Sequence, residues 1–236
     1  MPLVPAEPAP VDPPAAVMFD FNGTVSDDEP VLARVFEAVF AEEGVALPAA
    51  VYYDRFAGLS DTEIIEAVLT WAGRTTELEL CDSLLERRTL RYLEEVARAS
   101  PVRPAAAEFV RRVCERVPAV VVSGAARAEI EAVLDGAGLA ETLPLRVCGD
   151  DVARGKPDPE GYLRGLELLN RNRTVAITAA AALAFEDSPV GVAAALAAGA
   201  RCIAVLGSAP APRLAAAERI LPALDWSIPL IRGWNA

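Results

Sequence analysis

Apolar and polar positions fall into blocks along this chain, and the period of each block predicts its structure. The run from Ala15 to Phe19 is continuously apolar and stops abruptly at Asp20-Phe21-Asn22-Gly23-Thr24, a buried strand entering a glycine turn. After Ser26 the spacing changes: Leu32, Val35, Phe36, Val39 and Phe40 recur with a helical period, and Gly44 follows as a C-terminal cap. Ser60-Asp61-Thr62-Glu63 is a capping box opening a helix with Ile64, Ile65, Val68 and Leu69 on one face. A third, heavily charged helix covers roughly residues 77–99, so 27–99 reads as all-helical.

Beyond residue 100 short apolar strands return, at 117–122, 145–148, 182–185 and 201–206, each followed by turn residues and mostly by a helix. This alternation predicts an α/β fold: a Rossmann-like parallel sheet with helices on both faces. A lone strand near residue 17, separated from the others by helices, predicts an inserted all-helical cap. The expected organisation is a disordered Pro/Ala-rich tail at 1–15, a core formed by 16–26 and 100–236, and a cap at 27–99.

Composition narrows the chemistry. The 236 residues are 53% hydrophobic and 24% charged, an ordinary globular balance, and carry a formal charge of -12. That field disfavours nucleic acid and anionic membranes as partners. Histidine is absent, which excludes Ser-His-Asp and Cys-His catalysis and HExxH zinc sites. Cys81, Cys114, Cys148 and Cys202 have no CxxC spacing and read as reduced thiols. The N-terminal stretch lacks the basic and long apolar regions of a signal peptide, so a cytoplasmic location is expected, as a monomer or homodimer. Of the 22 basic residues all but one are arginine, and the single lysine is Lys156.

Ligands of open parallel sheets bind beyond the carboxyl ends of the strands. Those ends carry Asp20 and Asn22, then Ser123, then Glu186 and Asp187, with Lys156 in the turn Gly155-Lys156-Pro157-Asp158 and Asp158 as the expected cap of the next helix. A carboxylate nucleophile, a hydroxyl, one ammonium and an acidic pair suit phosphoryl transfer. The carboxylate attacks phosphorus, a magnesium ion offsets the anionic charge, and hydroxyl, backbone N–H and ammonium groups hold the phosphoryl oxygens. Lysine serves here as a compact point charge that an arginine fork does not reproduce.

Four motifs in order, Asp20-Phe21-Asn22-Gly23-Thr24, Val122-Ser123-Gly124, Gly155-Lys156-Pro157-Asp158-Pro159 and Phe185-Glu186-Asp187-Ser188-Pro189-Val190-Gly191, resemble those of haloacid-dehalogenase-superfamily phosphohydrolases. The chain is most similar to the branch with a helical cap after the first strand, which includes phosphoglycolate phosphatases and beta-phosphoglucomutases. The resemblance implies a Mg2+-dependent phosphatase acting on a small phosphorylated metabolite through an aspartyl phosphate on Asp20. It further implies Ser123 and Lys156 as phosphate contacts, with Gly23, Thr24 and Gly124 lining the substrate site. The metal would be held by Asp20, Asp187 with Glu186 beside it, and the backbone carbonyl of Asn22. The segment Gly58-Leu59-Ser60-Asp61 resembles the cap loop facing the site, giving Gly58 and Ser60 as substrate contacts.

Hydrolytic members of that family carry an aspartate two residues after the nucleophile as general acid and base, whereas this chain has Asn22, which cannot exchange a proton at useful pH. Three readings stay open: a natural variant for a substrate with a good leaving group, a phospholigand-binding protein of low turnover, or a substitution that traps an intermediate. A phosphosugar mutase is the alternative within the fold. Asp27 and Asp28 are assigned no chemistry, and Arg55, Arg74, Arg87, Arg88 and Arg91 are read mostly as a solvated face able to meet a second substrate anion.

Overall fold

A computed structural model describes residues 10–57, 59–228 and 230–234. Gly58 and residues 1–9 of the expected tail lie outside the described residues. The sheet has six parallel strands in the order β3-β2-β1-β4-β5-β6: β1 (Ala16–Phe19), β2 (Ala119–Val122), β3 (Arg146–Val147), β4 (Ala182–Glu186), β5 (Arg201–Val205) and β6 (Arg219–Leu221). The order reverses between β1 and β4, and such a switch point opens a crevice above the strand ends.

Side-chain alternation explains why both faces are covered. Val17, Phe19, Leu183 and Phe185 point to one side, where Phe19 and Phe185 stack with centroids 5.5 Å apart and Phe109 meets Phe185 edge-on at 5.3 Å. Ala16, Met18, Ala182 and Ala184 point to the other. There α7 (Glu160–Asn170) lies close on the sheet, since a Cβ at Gly165 would come within 3.0 Å of Val122. Asp158 sits two positions before that helix and accepts the Glu160 N–H at 3.0 Å, while Pro159 occupies the cap position given to Asp158 by sequence.

Between β1 and β2 run α1 (Glu29–Glu42), α2 (Ala49–Arg55), α3 (Asp61–Trp71), α4 (Leu78–Arg98) and α5 (Pro104–Cys114). The first four lie within residues 27–99. α2 had no sequence signal, because in seven residues it buries only Tyr52. The α3 capping box forms as expected, with Ser60 Oγ accepting the Glu63 N–H and Glu63 accepting the Ser60 N–H at 2.8 Å. α6 (Arg127–Gly136) follows β2 and packs against α4, and α8 (Pro189–Ala197) follows β4, capped by Ser188. β6 was also missed, being three residues with only Leu221 buried.

Residues 10–15, placed by sequence in the disordered tail, are tied down instead. Val11 pairs with Ile231, its N–H donates to Leu230 O at 2.8 Å, and Arg201 donates to Asp12 O at 2.9 Å. A proline-rich composition disfavours helix and inner strand, yet leaves a chain free to form an isolated bridge. The four cysteines are free, three of them buried. Among the described residues no helix is long and apolar enough to cross a membrane.

Candidate active site

The site begins where β1 ends. Phe19 is in register with Phe185, and the Asp20 N–H donates to Phe185 O at 2.9 Å, so the carboxylates of Asp20 and Glu186 emerge side by side at the switch point. Lys156, far away in sequence, joins them: its Nζ lies 2.5 Å from Asp20 Oδ1 and 2.5 Å from Glu186 Oε1. Glu186 is fully sealed from solvent, and both its oxygens are engaged. Tyr162 Oη donates to Oε1 at 2.8 Å, and the Asp187 N–H and the Ser188 hydroxyl reach Oε2, each at 3.2 Å.

Two glycine cradles explain how so many acids fit. A Cβ at Gly191 would lie 2.0 Å from the Glu186 carboxyl, and one at Gly23 would lie 1.9 Å from Asp187 Oδ2. Gly23 also needs the left-handed conformation, φ +79°, which its lack of a side chain permits. Asp187 Oδ2 accepts the Ser208 N–H at 2.9 Å.

The electrostatics are those of an anionic pocket with a single cation. Burial, then repulsion from Glu186, raises the Asp20 carboxyl well above its ordinary range, with Lys156 opposing. Burial likewise raises Asp187 to about 6. Burial works to lower the Lys156 ammonium, but Asp20 and Glu186 together outweigh it and hold its pKa above the ordinary value. Oxygens of Asp20, Glu186 and Asp187 lie within 4.8 Å of one another, and Asp20 Oδ2 is buried with no hydrogen-bond partner. A hard, all-carboxylate donor set with an orphaned oxygen fits magnesium.

Ser123 follows β2, and its hydroxyl donates to Asn22 Oδ1 at 3.1 Å while accepting the Ala125 N–H at 3.1 Å. Gly124 borders a close crossing, since a Cβ at Gly149 would come 2.3 Å from its carbonyl oxygen. Thr24 is buried with an unpartnered hydroxyl. Asp20, Lys156, Glu186, Asp187 and Gly23 are thus joined by contacts, while Asn22, next to Gly23 in the chain, brings in Ser123. Ser60 is not among them: its hydroxyl is spent on the capping box at an exposed helix start.

Sequence reading passed over three participants. Tyr162 braces Glu186 and lies with its ring centroid 5.4 Å from the Lys156 ammonium. Ser208 holds Asp187. Asp28, read as chemically silent, is 1% exposed and accepts from Asn22 Nδ2 and from Tyr92 Oη, the latter at 2.9 Å. A signal for Asp28 existed in its place just before a helix and eight residues after Asp20, but no periodicity marks such a residue as buried. Of the five arginines read as a solvated face, Arg87 and Arg91 pair with Glu42, Arg74 donates to Glu43 O, Arg55 is exposed beside Asp54, and Arg88 is buried between Asp61 and Glu129.

Comparison with known proteins identifies the family. The family described as haloacid dehalogenase-like hydrolase matches residues 14–199. The validoxylamine A 7'-phosphate phosphatase of Streptomyces hygroscopicus subsp. limoneus is 30% identical over 205 residues, covering 86% of this chain and 91% of that protein. A phosphorylated carbohydrates phosphatase of Thermotoga maritima is 28% identical over 184 residues, 78% of this chain and 81% of its own. Among solved structures, mutant CbbY of Rhodobacter sphaeroides in complex with xylulose-(1,5)-bisphosphate superposes with a TM-score of 0.76 at 26% identity, covering 89% of this chain and 95% of that one. With the match spanning sheet and crevice alike, this chain belongs to the haloacid dehalogenase-like hydrolases, an enzyme family whose members similar to it are named as phosphatases.

Proposed function

We propose that the protein is a magnesium-dependent phosphatase that hydrolyses a phosphomonoester of a small, hydroxyl-rich metabolite such as a sugar phosphate. The observation that carries this reading is the Lys156 bridge between Asp20 and Glu186 beside Asp187, which leaves Asp20 Oδ2 buried without a partner. The names of the relatives, which act on a phosphorylated carbohydrate or a 7'-phosphate, support the substrate class.

In this mechanism Asp20 is the nucleophile. A carboxylate oxygen forms a bond to phosphorus as the bond from phosphorus to the leaving oxygen breaks, and the leaving oxygen takes a proton from solvent water and departs as the alcohol. Water then attacks the aspartyl phosphate, the acyl-side oxygen returns to Asp20, and inorganic phosphate leaves. Lys156 and the Ser123 hydroxyl hold phosphoryl oxygens as charge builds on them. Glu186, locked by Tyr162 and Ser188, keeps the ammonium in place. Asp20 and Asp187, with Glu186 adjacent and the Asn22 backbone carbonyl, would hold magnesium, which when bound supplies Lewis-acid neutralisation of the phosphoryl charge. Asn22 has no proton to give the leaving oxygen, so turnover is slow for poor leaving groups and faster for activated ones, a general acid being worth about 10²–10⁴ in rate.

The test is phosphate release from a panel of sugar, polyol and acid phosphates with and without magnesium, alongside Asp20→Asn. Magnesium-dependent release that Asp20→Asn abolishes is the expected result. Release that survives in Asp20→Asn, or isomerised sugar phosphate without free phosphate, overturns the reading.

A further inference from the structure

The side chain of Asn22 is held at both ends. Its Nδ2 donates to Asp28 Oδ2, its Oδ1 accepts the Ser123 hydroxyl at 3.1 Å, and Tyr92 of α4 donates to the same Asp28 oxygen at 2.9 Å. A carboxylate only accepts hydrogen bonds, so the amide nitrogen must face Asp28 and the amide oxygen must face Ser123. Chemistry alone therefore fixes which way the amide points. The reverse dependence also holds. With aspartate at 22 and both acids ionised above about pH 6, two acceptor-only carboxylates would face each other in a part-buried space with no donor between them. Residue 22 and residue 28 are chemically matched, and the match extends from a helix of the insertion to the candidate phosphate contact after β2.

We propose that Asp28 is a positioning residue: it locks the Asn22 amide so that its oxygen holds the Ser123 side chain in place beside the phosphoryl site, and the one hydroxyl proton passes from Asn22 Oδ1 to a phosphoryl oxygen when substrate enters. Asn22 is then one half of an amide–carboxylate pair to which this chain is adapted, and restoring an acid at position 22 alone disrupts the site. The inference rests on the phosphatase reading for its effect on turnover, but the pairing itself does not.

Three variants separate the outcomes: Asn22→Asp, Asp28→Asn, and the two together, which exchange the amide and the carboxylate while keeping every hydrogen bond satisfiable. Thermal unfolding is measured for each, with kcat on p-nitrophenyl phosphate and on a sugar phosphate. In Asn22→Asp, Tm is expected to fall by about 4 °C or more and kcat by roughly 10- to 100-fold, the scale of a misplaced site. In Asp28→Asn both residues carry a donor and an acceptor, so Tm stays near that of the unaltered protein while the freed amide lowers kcat severalfold. The exchanged pair is expected to recover Tm and most of kcat, a non-additivity reporting direct coupling.

If Asn22→Asp alone raises kcat and leaves Tm unchanged, the matched pair is overturned. If Tm is coupled but Asp28→Asn keeps full kcat, the pairing is structural and the positioning role is overturned. If even the unaltered protein releases no phosphate, the phosphatase reading fails separately. Affinity for inorganic phosphate with magnesium, by calorimetry, then decides: a severalfold loss in Asp28→Asn supports positioning, and no change overturns it.

Discussion

Arg88 on α4 and Glu129 on α6 form an ion pair between a helix that precedes β2 and the helix that follows it, with the two side chains only 3% and 6% exposed. Asp61 at the start of α3 meets the other side of the same guanidinium at 3.1 Å, and Arg88 lies over the Tyr92 ring at 4.9 Å. One buried cation thus ties α3 and α4 to α6. Removing one member of such a pair strands a charge, at a cost of about 3–5 kcal/mol, whereas replacing both by apolar groups is often neutral. Arg88→Met is therefore expected to lower the urea midpoint sharply, and Arg88→Met combined with Glu129→Leu to recover much of the loss.

The same pair gives the protein a pH dependence of definite sign. Burial raises Glu129 to about 7 against Arg88, and raises Asp28 to about 6 against its hydrogen bonds from Tyr92 and Asn22. Between the ordinary carboxylate range and these raised values, the folded protein keeps protons that the unfolded chain has lost. Their stabilising contribution is present below the unfolded pKa and disappears as pH rises through about 6 and 7. Without added metal, Tm at pH 5.5 is expected to exceed Tm at pH 7.5, and Glu129→Gln to flatten that difference. A rising Tm over this interval contradicts the assignment.

Magnesium should reverse part of that trend. A ligand that binds only the folded state at 100 times its Kd adds about 2.7 kcal/mol. Titration at pH 7.5 is expected to raise Tm, while Asp187→Asn, which removes one carboxylate of the cluster, abolishes the shift. An equal shift in the variant would place the ion elsewhere.

Lys156 is expected to resist replacement by arginine. The space between Asp20 and Glu186 admits a compact ammonium 2.5 Å from each, and a planar guanidinium cannot present the same point charge. Lys156→Arg should lower kcat by about 10²–10³, measured as phosphate release. Near-normal turnover would remove lysine from the phosphate contacts.

Gly191→Ala tests the cradle around Glu186. The added methyl would fall 2.0 Å from the carboxyl group, so Glu186 must move and release Lys156. Turnover should drop more than tenfold, a displacement near 1 Å being worth up to about 10², with circular dichroism showing an intact fold.

Much of the architecture was legible because burial dictates it. Strands covered on both faces must be continuous apolar runs, and β1, β2, β4 and β5 all read that way. Helices α1, α3 and α4 carry one apolar stripe and, in α3, a capping box. Elements that bury little, such as α2 and β6, left no pattern to read. The isolated bridge between Val11 and Ile231 was equally hidden, because it draws on backbone groups that every residue shares.

By itself the sequence determined the parallel α/β class, the strand-end positions of Asp20, Ser123 and Glu186, and the presence of a single lysine, since hydrophobic period and residue chemistry are properties of the linear chain. The tertiary structure alone decided that Lys156 bridges Asp20 and Glu186, that the Ser60 hydroxyl caps its own helix, and that Asn22 and Tyr92 converge on Asp28. Those facts depend on three-dimensional distance and on desolvation, and a carboxylate shows neither until the surrounding chain has closed over it.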